Sequence, residues 1–569
     1  FNLKKLADPT YFMENRMPAH SDHVCYANEK EAENRYSDAA AYHQMGRRIS
    51  SVPGLPDVLG KKSSFRHFLD GSFYFHYAKN PAQVIQGFER TDYDCRNWDC
   101  ISVPAHIQME GYDIPQYANV QYPWDGREEI WTDESPSAFN PTACYVKYFT
   151  LPEGFRKEKV FISFQGVESA FVVWLNGSYV GFSQDTFSPA EFDLTPYLFD
   201  GENKLAVMVF KWSVGSWCED QDFFRFSGIF RSVYLYTAPC VHLEDLRVVP
   251  HLEEDCGNAR LSIGMSVMAD GSAAGPVTDW IAGDGAGADL AGESERRQNG
   301  SGYKEEKPVG KVKFSLLELG RLDTVRAGLE QNTVSVIMEQ EEMIFAHSCF
   351  TYPVSEPKLW SAECPNLYEL RIQMFDLDGN LTEVTSQRFG FRRFALKDGI
   401  MQINGKRIVF KGVNRHEFCA EGGRVVRFED ALTDVITMKQ NNINAIRTSH
   451  YPNSVGIYEL CDTFGLYMIA ENNLESHGCW DAGHFRKNAP EDMIVPGDNE
   501  KWEARMCDRV NSCYQRDKNH SSILIWSCGN EAFGGKVIYA MSQKFRVLDG
   551  ERLVHYEGIY NDRRYEGTS

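Results

Sequence analysis

Between about residues 63 and 237 the apolar residues fall in short β-type runs separated by turn signals. These are Ser72-Phe-Tyr-Phe-His, Cys144-Tyr-Val-Lys-Tyr-Phe, Lys159-Val-Phe-Ile-Ser-Phe, Ala170-Phe-Val-Val-Trp-Leu, Leu205-Ala-Val-Met-Val-Phe and Ser232-Val-Tyr-Leu-Tyr. The pattern predicts an all-β sandwich of the jelly-roll kind. Asn176-Gly177 directly after an apolar run predicts a tight hairpin, because both residues accept positive φ. A second β-rich stretch, 238–392, with runs such as Leu261–Met268 and Thr333–Met338, suits an immunoglobulin-like sandwich. Within it, residues 270–309 are rich in Gly, Ala and Ser and too poor in large apolar groups to pack, which predicts a mobile insert. Residues 1–62 mix short apolar patches with polar clusters and carry Pro53 and Pro56, the pattern of an extended arm.

From 393 the rhythm changes to strands alternating with helices. Ile408–Val413 reads as a buried strand, and Phe428–Asn441 carries Leu432, Val435, Ile436 and Met438 near helical spacing. Strands at Ala445, Leu466, Ile523 and Leu553 then alternate with helices at Val455–Asp462, Lys501–Lys518 and Val537–Val547. Five β units with four helices predict the first part of a (β/α)₈ TIM barrel; a whole one takes about 250 residues, so three strands are expected beyond Ser569.

Composition narrows the function classes. Eighty Asp and Glu against 59 Lys and Arg give a formal charge of −21, which repels phosphate backbones and anionic membrane surfaces, so no nucleic acid and no membrane partner is expected. No apolar run reaches about 18 residues, and the opening Phe1-Asn-Leu-Lys-Lys-Leu lacks the apolar stretch of a secretory signal, so a cytoplasmic protein is expected. Fifteen cysteines without CxxC pairs read as reduced thiols, mostly packing residues. Aromatics at 13% suit either sugar stacking or large β cores, and Trp98, Trp174 and Trp212 are candidates for both, with core favoured.

In such a barrel the chemistry sits at the C-terminal ends of the strands. Strand 1 ends in Asn414-Arg-His416-Glu417, strand 2 in Arg447-Thr-Ser-His450, strand 3 in Glu471-Asn-Asn-Leu-Glu475-Ser-His477 and strand 4 in Ser527-Cys-Gly-Asn530-Glu531. Any one of these alone reads equally as a loop hydrogen-bonder; four in consecutive register point to a site. Glycoside hydrolysis needs a carboxylic acid to protonate the leaving oxygen, and a neighbouring amide can bind a sugar hydroxyl, so Glu531 and Asn530 are the leading pair. The alternative for Glu531 is a helix-initiating residue beside an Asn cap. Glu475 and His477, two apart in extended chain, can reach one ion, Mg²⁺ or Mn²⁺, with Glu531 as third ligand. Alternatively His477 caps its loop and Glu475 pairs with an Arg.

Longer segments carry a specific likeness: Tyr117-Ala-Asn-Val-Gln-Tyr-Pro, Gly181-Phe-Ser-Gln-Asp, Glu219-Asp-Gln-Asp, Ser227-Gly-Ile-Phe-Arg, Gly412-Val-Asn-Arg-His-Glu, Ser449-His-Tyr-Pro-Asn and Gly529-Asn-Glu, in this order. Over nearly all of 63–569 the chain resembles the β-galactosidases of glycoside hydrolase family 2. The resemblance implies a jelly-roll sugar-binding domain, an immunoglobulin-like domain and a catalytic barrel, hydrolysing terminal β-D-galactosides such as lactose with retention, and a homo-oligomer in the complete protein. It implies Glu531 as acid/base, Asn530 as partner of the sugar 2-hydroxyl, and Glu475, His477 and Glu531 as Mg²⁺ ligands. His416, His450 and Asn119 become galactose contacts, and Asp185 a contact to galactose and Na⁺. The family's nucleophile is a second Glu at the end of strand 7, so the 569 residues are expected to be a fragment, inactive alone. A non-catalytic galactoside-binding or subunit-interaction protein, or a family-2 enzyme for another sugar, stays open.

Overall fold

A computed structural model describes the chain except for residues 35–39, 45–46, 53–56, 156–157, 270–306, 322–333, 481–492 and 562. The predicted insert thus falls almost wholly outside the described residues. Among the described residues no helix is long and apolar enough to cross a membrane.

The first sandwich pairs a seven-stranded sheet, which includes Gly71–Ala78, Thr142–Thr150, Ala170–Leu175, Ser178–Ser183 and Glu202–Phe210, with a four-stranded one that includes Lys159–Phe164, Ala190–Asp193 and Val233–Ala238. Phe75, Tyr145, Phe171, Val173 and Val207 from one sheet meet Ile162, Phe164, Phe192 and Leu235 from the other. Ala170–Leu175 is buried at every position because residues around Leu6, Val84 and Phe88 cover the outer face of the large sheet; a strand covered on both sides reads as a continuous apolar run. The hairpin turn is as predicted, Asn176 and Gly177 having φ of 52° and 81°. Trp174 and Trp212 are core residues. The second sandwich buries Leu261, Ile263 and Met265 against Phe314, Leu370 and Ile372. Its run at Ser335–Ile344 is the outermost strand of its sheet, with Val336 and Ile337 exposed.

Five parallel strands follow in chain order: β1 (Gly412–Arg415), β2 (Ala445–Thr448), β3 (Tyr467–Glu471), β4 (Ile523–Ser527) and β5 (Leu553–His555). Between them lie α1 (Phe428–Gln440), α2 (Val455–Phe464), α3 (Glu503–Asp517) and α4 (Lys536–Leu548). Leu432 and Val435 of α1, Ile457 and Leu460 of α2, Met506 and Val510 of α3 and Met541 and Phe545 of α4 share one core with Met468 and Trp526. Helix α2 stops at Gly465, in the left-handed region, where a Cβ would stand 2.6 Å from Ala362 O. The expected strand at Ile408–Val413 is corrected: pairing starts only at Gly412, and Val409 and Val413 are 53% and 37% exposed. The reason is position. Among the described residues β1 pairs only with β2, so 408–411 run as extended chain tied to Asn444, whose Oδ1 accepts Lys411 N–H and whose Nδ2 donates to Val409 O.

The N-terminal arm is a strap across all three units. Met13–Glu14 adds to the large sheet of the first sandwich and Cys25–Tyr26 to the second. Arg16 reaches Asp508 of α3 at 2.6 Å, Ser21 N–H donates to Asp245 Oδ1 at 2.9 Å, and His20 meets Glu191 at 3.0 Å. Burial pushes the His20 imidazole down, but Glu191 overrides it and lifts it to about 9; burial pushes Glu191 up, and His20 brings it down to about 2. The stabilisation from His20 is full below its ordinary pKa and disappears as pH rises through about 9; that from Glu191 is full above its ordinary pKa and disappears as pH falls towards about 2. Glu191→Gln should therefore lower stability by about 1.5–3 kcal/mol near pH 7. The gap to the parent should close above about pH 9, as read from urea midpoints across pH.

Candidate active site

The rim of the sheet is built where the first sandwich touches the loop after β3. Glu475 N–H donates to Cys218 O at 3.1 Å and Asp220 N–H to Glu475 O at 3.0 Å, so residues 218–220 run alongside the loop as a short added strand. From the other side the chain leaving β4 presses in. A Cβ on Gly529, whose φ is 155°, would stand 2.7 Å from Leu474 O, and only glycine allows that approach. Asn530 N–H then donates to Leu474 O at 2.9 Å, and its Nδ2 donates to Glu475 Oε2 at 3.0 Å.

Glu531 follows on a bend, not at a helix start, since α4 begins at Lys536. Its side chain is 41% exposed, and Oε2 lies 3.0 Å from His477 Nδ1. The His477 hydrogen bond holds the Glu531 carboxyl below the ordinary range, with burial acting against it. Glu475 is wholly buried and accepts from Asn530 and from Asp222 N–H at 3.2 Å. Burial pushes its carboxyl well above the usual range, Asp220 and Glu531 add to the rise, and Asn530 opposes it. Burial likewise carries Asp220 to about 6 against the pull of Arg225. The rim is thus short of positive charge at its deepest point.

The two rim histidines are differently placed. His450 Nδ1 sits 2.5 Å from Glu471 Oε1, and Glu471 also accepts from Arg447 Nε at 2.5 Å and Ser527 Oγ at 2.7 Å. His416 stands edge-on to His450, ring centroids 5.4 Å apart. Burial, then His450 and Arg424, push His416 to about 3, so it is a neutral imidazole. Asp185 reaches in from the first sandwich: Oδ1 accepts from Asn473 Nδ2 at 3.1 Å, while Oδ2 is buried without a hydrogen-bond partner. Asn119 lies exposed just past the strand Gln116–Ala118, its Oδ1 accepting Val120 N–H.

The structure therefore brings Glu475, His477, Asn530 and Glu531 together, sets His416 and His450 beside them, and joins Asp185 through Asn473. Among the described residues Glu475 bonds to Asn530 and not to an Arg, and Glu531 does not start a helix. Among the described residues no three His, Cys, Asp or Glu side chains already stand at metal-holding spacing. The residue types themselves, two carboxylates and an imidazole, could hold a divalent cation. Sequence reasoning assigned no role to Arg447, Arg225, Asp222 or Glu557. Arg447 binds Glu471 and Asn530 Oδ1, the latter at 3.1 Å, and Glu557 beyond β5 accepts Glu531 N–H at 3.4 Å. The acid density of Glu219-Asp-Gln-Asp and the strand-end place of Arg447 were the available signals; for Glu557 the fold was needed.

Comparison with known proteins agrees with this layout. Residues 66–239 match the sugar binding domain of the glycosyl hydrolases family 2, residues 241–392 the central family 2 domain and residues 394–567 the family 2 TIM barrel domain. The chain is 44% identical over 568 residues to a β-galactosidase of Halalkalibacterium halodurans, covering 100% of this chain and 49% of that protein. It is 36% identical over 581 residues to a β-galactosidase large subunit of Latilactobacillus sakei, covering 100% and 80%. Among solved structures, a β-glycosidase from Bacteroides vulgatus aligns at 23% identity with a TM-score of 0.60, covering 86% of this chain and 53% of that one. The chain spans about half the length of the first group of curated relatives, 45–54% of each.

Removing Arg447 would leave the fully buried Glu471 with only His450 and Ser527. Arg447→Met should cost about 3 kcal/mol in chemical denaturation, the low end for a broken buried ion pair. Arg447→Lys should recover only part of this, because a point charge cannot hold Glu471 and Asn530 at once.

Proposed function

The chain belongs to the glycosyl hydrolases family 2, and from that membership and the rim geometry we infer that it carries the acid/base half of a retaining β-galactosidase. The observation that carries this reading is Glu531 at the end of β4, half in solvent, bonded to His477 and adjoining the Asn530–Glu475 pair. Retention requires two carboxyl groups about 5–5.5 Å apart. Glu531 is the proposed proton donor to the leaving oxygen and, in the second half-reaction, the acceptor of a proton from water. The nucleophile is proposed to lie in the length of the relatives that this chain does not span. The His477 hydrogen bond holds the Glu531 carboxyl below its ordinary range, while burial and the Glu557 carboxylate act to raise its proton affinity, the direction a donor needs.

The remaining groups bind and orient. Asn530 spends one amide N–H on Glu475 and keeps the other for the 2-hydroxyl. His416, neutral, can both donate to and accept from sugar hydroxyls, and the partnerless Asp185 Oδ2 is a ready acceptor or Na⁺ ligand. Glu475, His477 and Glu531 would hold Mg²⁺, which when bound supplies the positive charge that the buried carboxylates lack.

Two measurements test this. In the protein with its complete barrel, Glu531→Gln should slow hydrolysis of an aryl β-galactoside at least about 10²-fold; undiminished turnover rejects the assignment. In this chain, Mg²⁺ at about 100 times its dissociation constant should raise unfolding stability by about 2.7 kcal/mol. Glu475→Gln should abolish that gain.

A further inference from the structure

Three aromatic side chains stand in solvent beside the rim without joining any of the buried cores. Tyr117 and Phe224 face each other across the antiparallel ribbon Gln116–Ala118/Phe223–Arg225, ring centroids 5.6 Å apart. Phe418, three residues past the end of β1, lies 6.4 Å from Phe224 with the two rings only 17° from parallel. They are 57%, 37% and 41% exposed. Large aromatics gain most from burial, so a fixed exposed group of them marks a contact surface.

What they are fixed to identifies their role. Buried Phe223 lies face to face with His416 at 4.8 Å and edge-on to Phe418 at 5.4 Å, while Arg424 stands over its ring. His416 in turn stands edge-on to His450 on the rim, ring centroids 5.4 Å apart. At the other end the Tyr117 hydroxyl donates to Asp222, and Asp222 N–H donates to Glu475. The aromatic face is therefore a continuation of the rim, anchored to it at both ends. The Phe224 and Phe418 rings are nearly parallel with centroids 6.4 Å apart, too close to admit a ring between them, so a ligand meets them on their solvent-exposed sides.

We propose that Phe224, Phe418 and Tyr117 form a platform for the leaving-group part of a β-galactoside, stacking an aryl ring or the apolar C–H face of a second sugar. The proposal rests on the galactoside reading: the acid serving the leaving oxygen must have the leaving group beside it, and this is the aromatic surface continuous with that acid's neighbours. It assigns the choice of leaving group jointly to the first sandwich and the segment after β1.

Calorimetric titration of the protein with its complete barrel, using galactose and non-hydrolysable 4-nitrophenyl 1-thio-β-D-galactoside, tests it. The thiogalactoside should bind more tightly than galactose. Phe418→Ala and Phe224→Ala should each remove about three- to tenfold of its affinity, the worth of one aromatic contact, and leave galactose binding unchanged. Phe418→Tyr should restore the thiogalactoside affinity. Because both rings are partly exposed, either variant serves if the other fails to fold. If galactose binds but the aryl group adds nothing, or if the variants weaken both ligands equally, the platform is overturned while the galactoside reading stands. If the variants instead change only assembly state or stability, the rings cover a protein surface and the platform is overturned. If neither ligand binds, the galactoside reading falls and the platform with it.

Discussion

A buried guanidinium ties the first sandwich to the barrel at the rim. Arg509, on α3, donates to Cys218 O and Asn473 O at 3.3 and 2.9 Å and to Glu219 Oε1 at 2.6 Å. Its three acceptors come from the two segments that form the rim: the 218–222 stretch of the sandwich and the loop after β3. Four residues earlier, one helical turn away, Arg505 donates to the carbonyls of Asp8, Pro9 and Tyr11 and to Gln184 Oε1. Helix α3 thus fixes strap, sandwich and rim with two side chains. Planar guanidinium forks suit this task because each spreads several donors in fixed directions towards acceptors on different segments. The Glu475–Cys218 and Asp220–Glu475 backbone bonds, and with them the positions of Glu475, Asp220 and Asp222, depend on that clamp.

The electrostatics of the rim follow from the same docking. Bringing 218–222 against the loop after β3 places Glu219, Asp220 and Glu475 in one buried volume, where burial raises all three. Arg509 and Arg225 answer Glu219 and Asp220; among the described residues Glu475 accepts from the neutral N–H groups of Asp222 and Asn530. A fold that merely needed a packed interface would do better with apolar side chains there, since replacing buried charge by well-packed hydrophobes is often neutral or stabilising. An acid held in that place without an ion-pair partner is economical only when something charged or strongly polar arrives.

Much of this was legible in the sequence. The hairpin at Asn176-Gly177, the continuous run at Ala170–Leu175 and the alternation after 393 each report a local rule, positive φ, two-sided burial or helical period, and the structure obeys them. Ile408–Val413 misled because apolar content reports burial only where neighbours exist on both sides, and β1 has one. The strand-end residues were found because the barrel fixes where they must lie. Asp222, Arg447 and Glu557 were not, because their roles arise from which loops meet, and contact across 253 positions, as between Asp222 and Glu475, leaves no periodic trace. The arm was equally opaque: short patches that pair with three different bodies look like disorder in one dimension.

The presentation of Glu531 carries a local cost that its surroundings offset. It is a non-glycine residue with φ of 29°, in the left-handed region, where side chains meet the backbone at roughly 1–2 kcal/mol. Gly529 before it and Gly535 after it take conformations open to glycine alone, so the bend is forced from both sides. Asn530 N–H is held by Leu474 O, Glu531 N–H by Glu557, and Ala532 N–H by the Tyr556 hydroxyl, so three successive amides are pinned to the segments that follow β3 and β5. An unstrained turn would let the chain run on into α4 sooner. The strained one lifts a carboxyl off the end of β4, into reach of His477 and partly into solvent. Strain kept at one residue while its neighbours are pinned is what a group needs when its position relative to a bound molecule matters more than its own conformational energy.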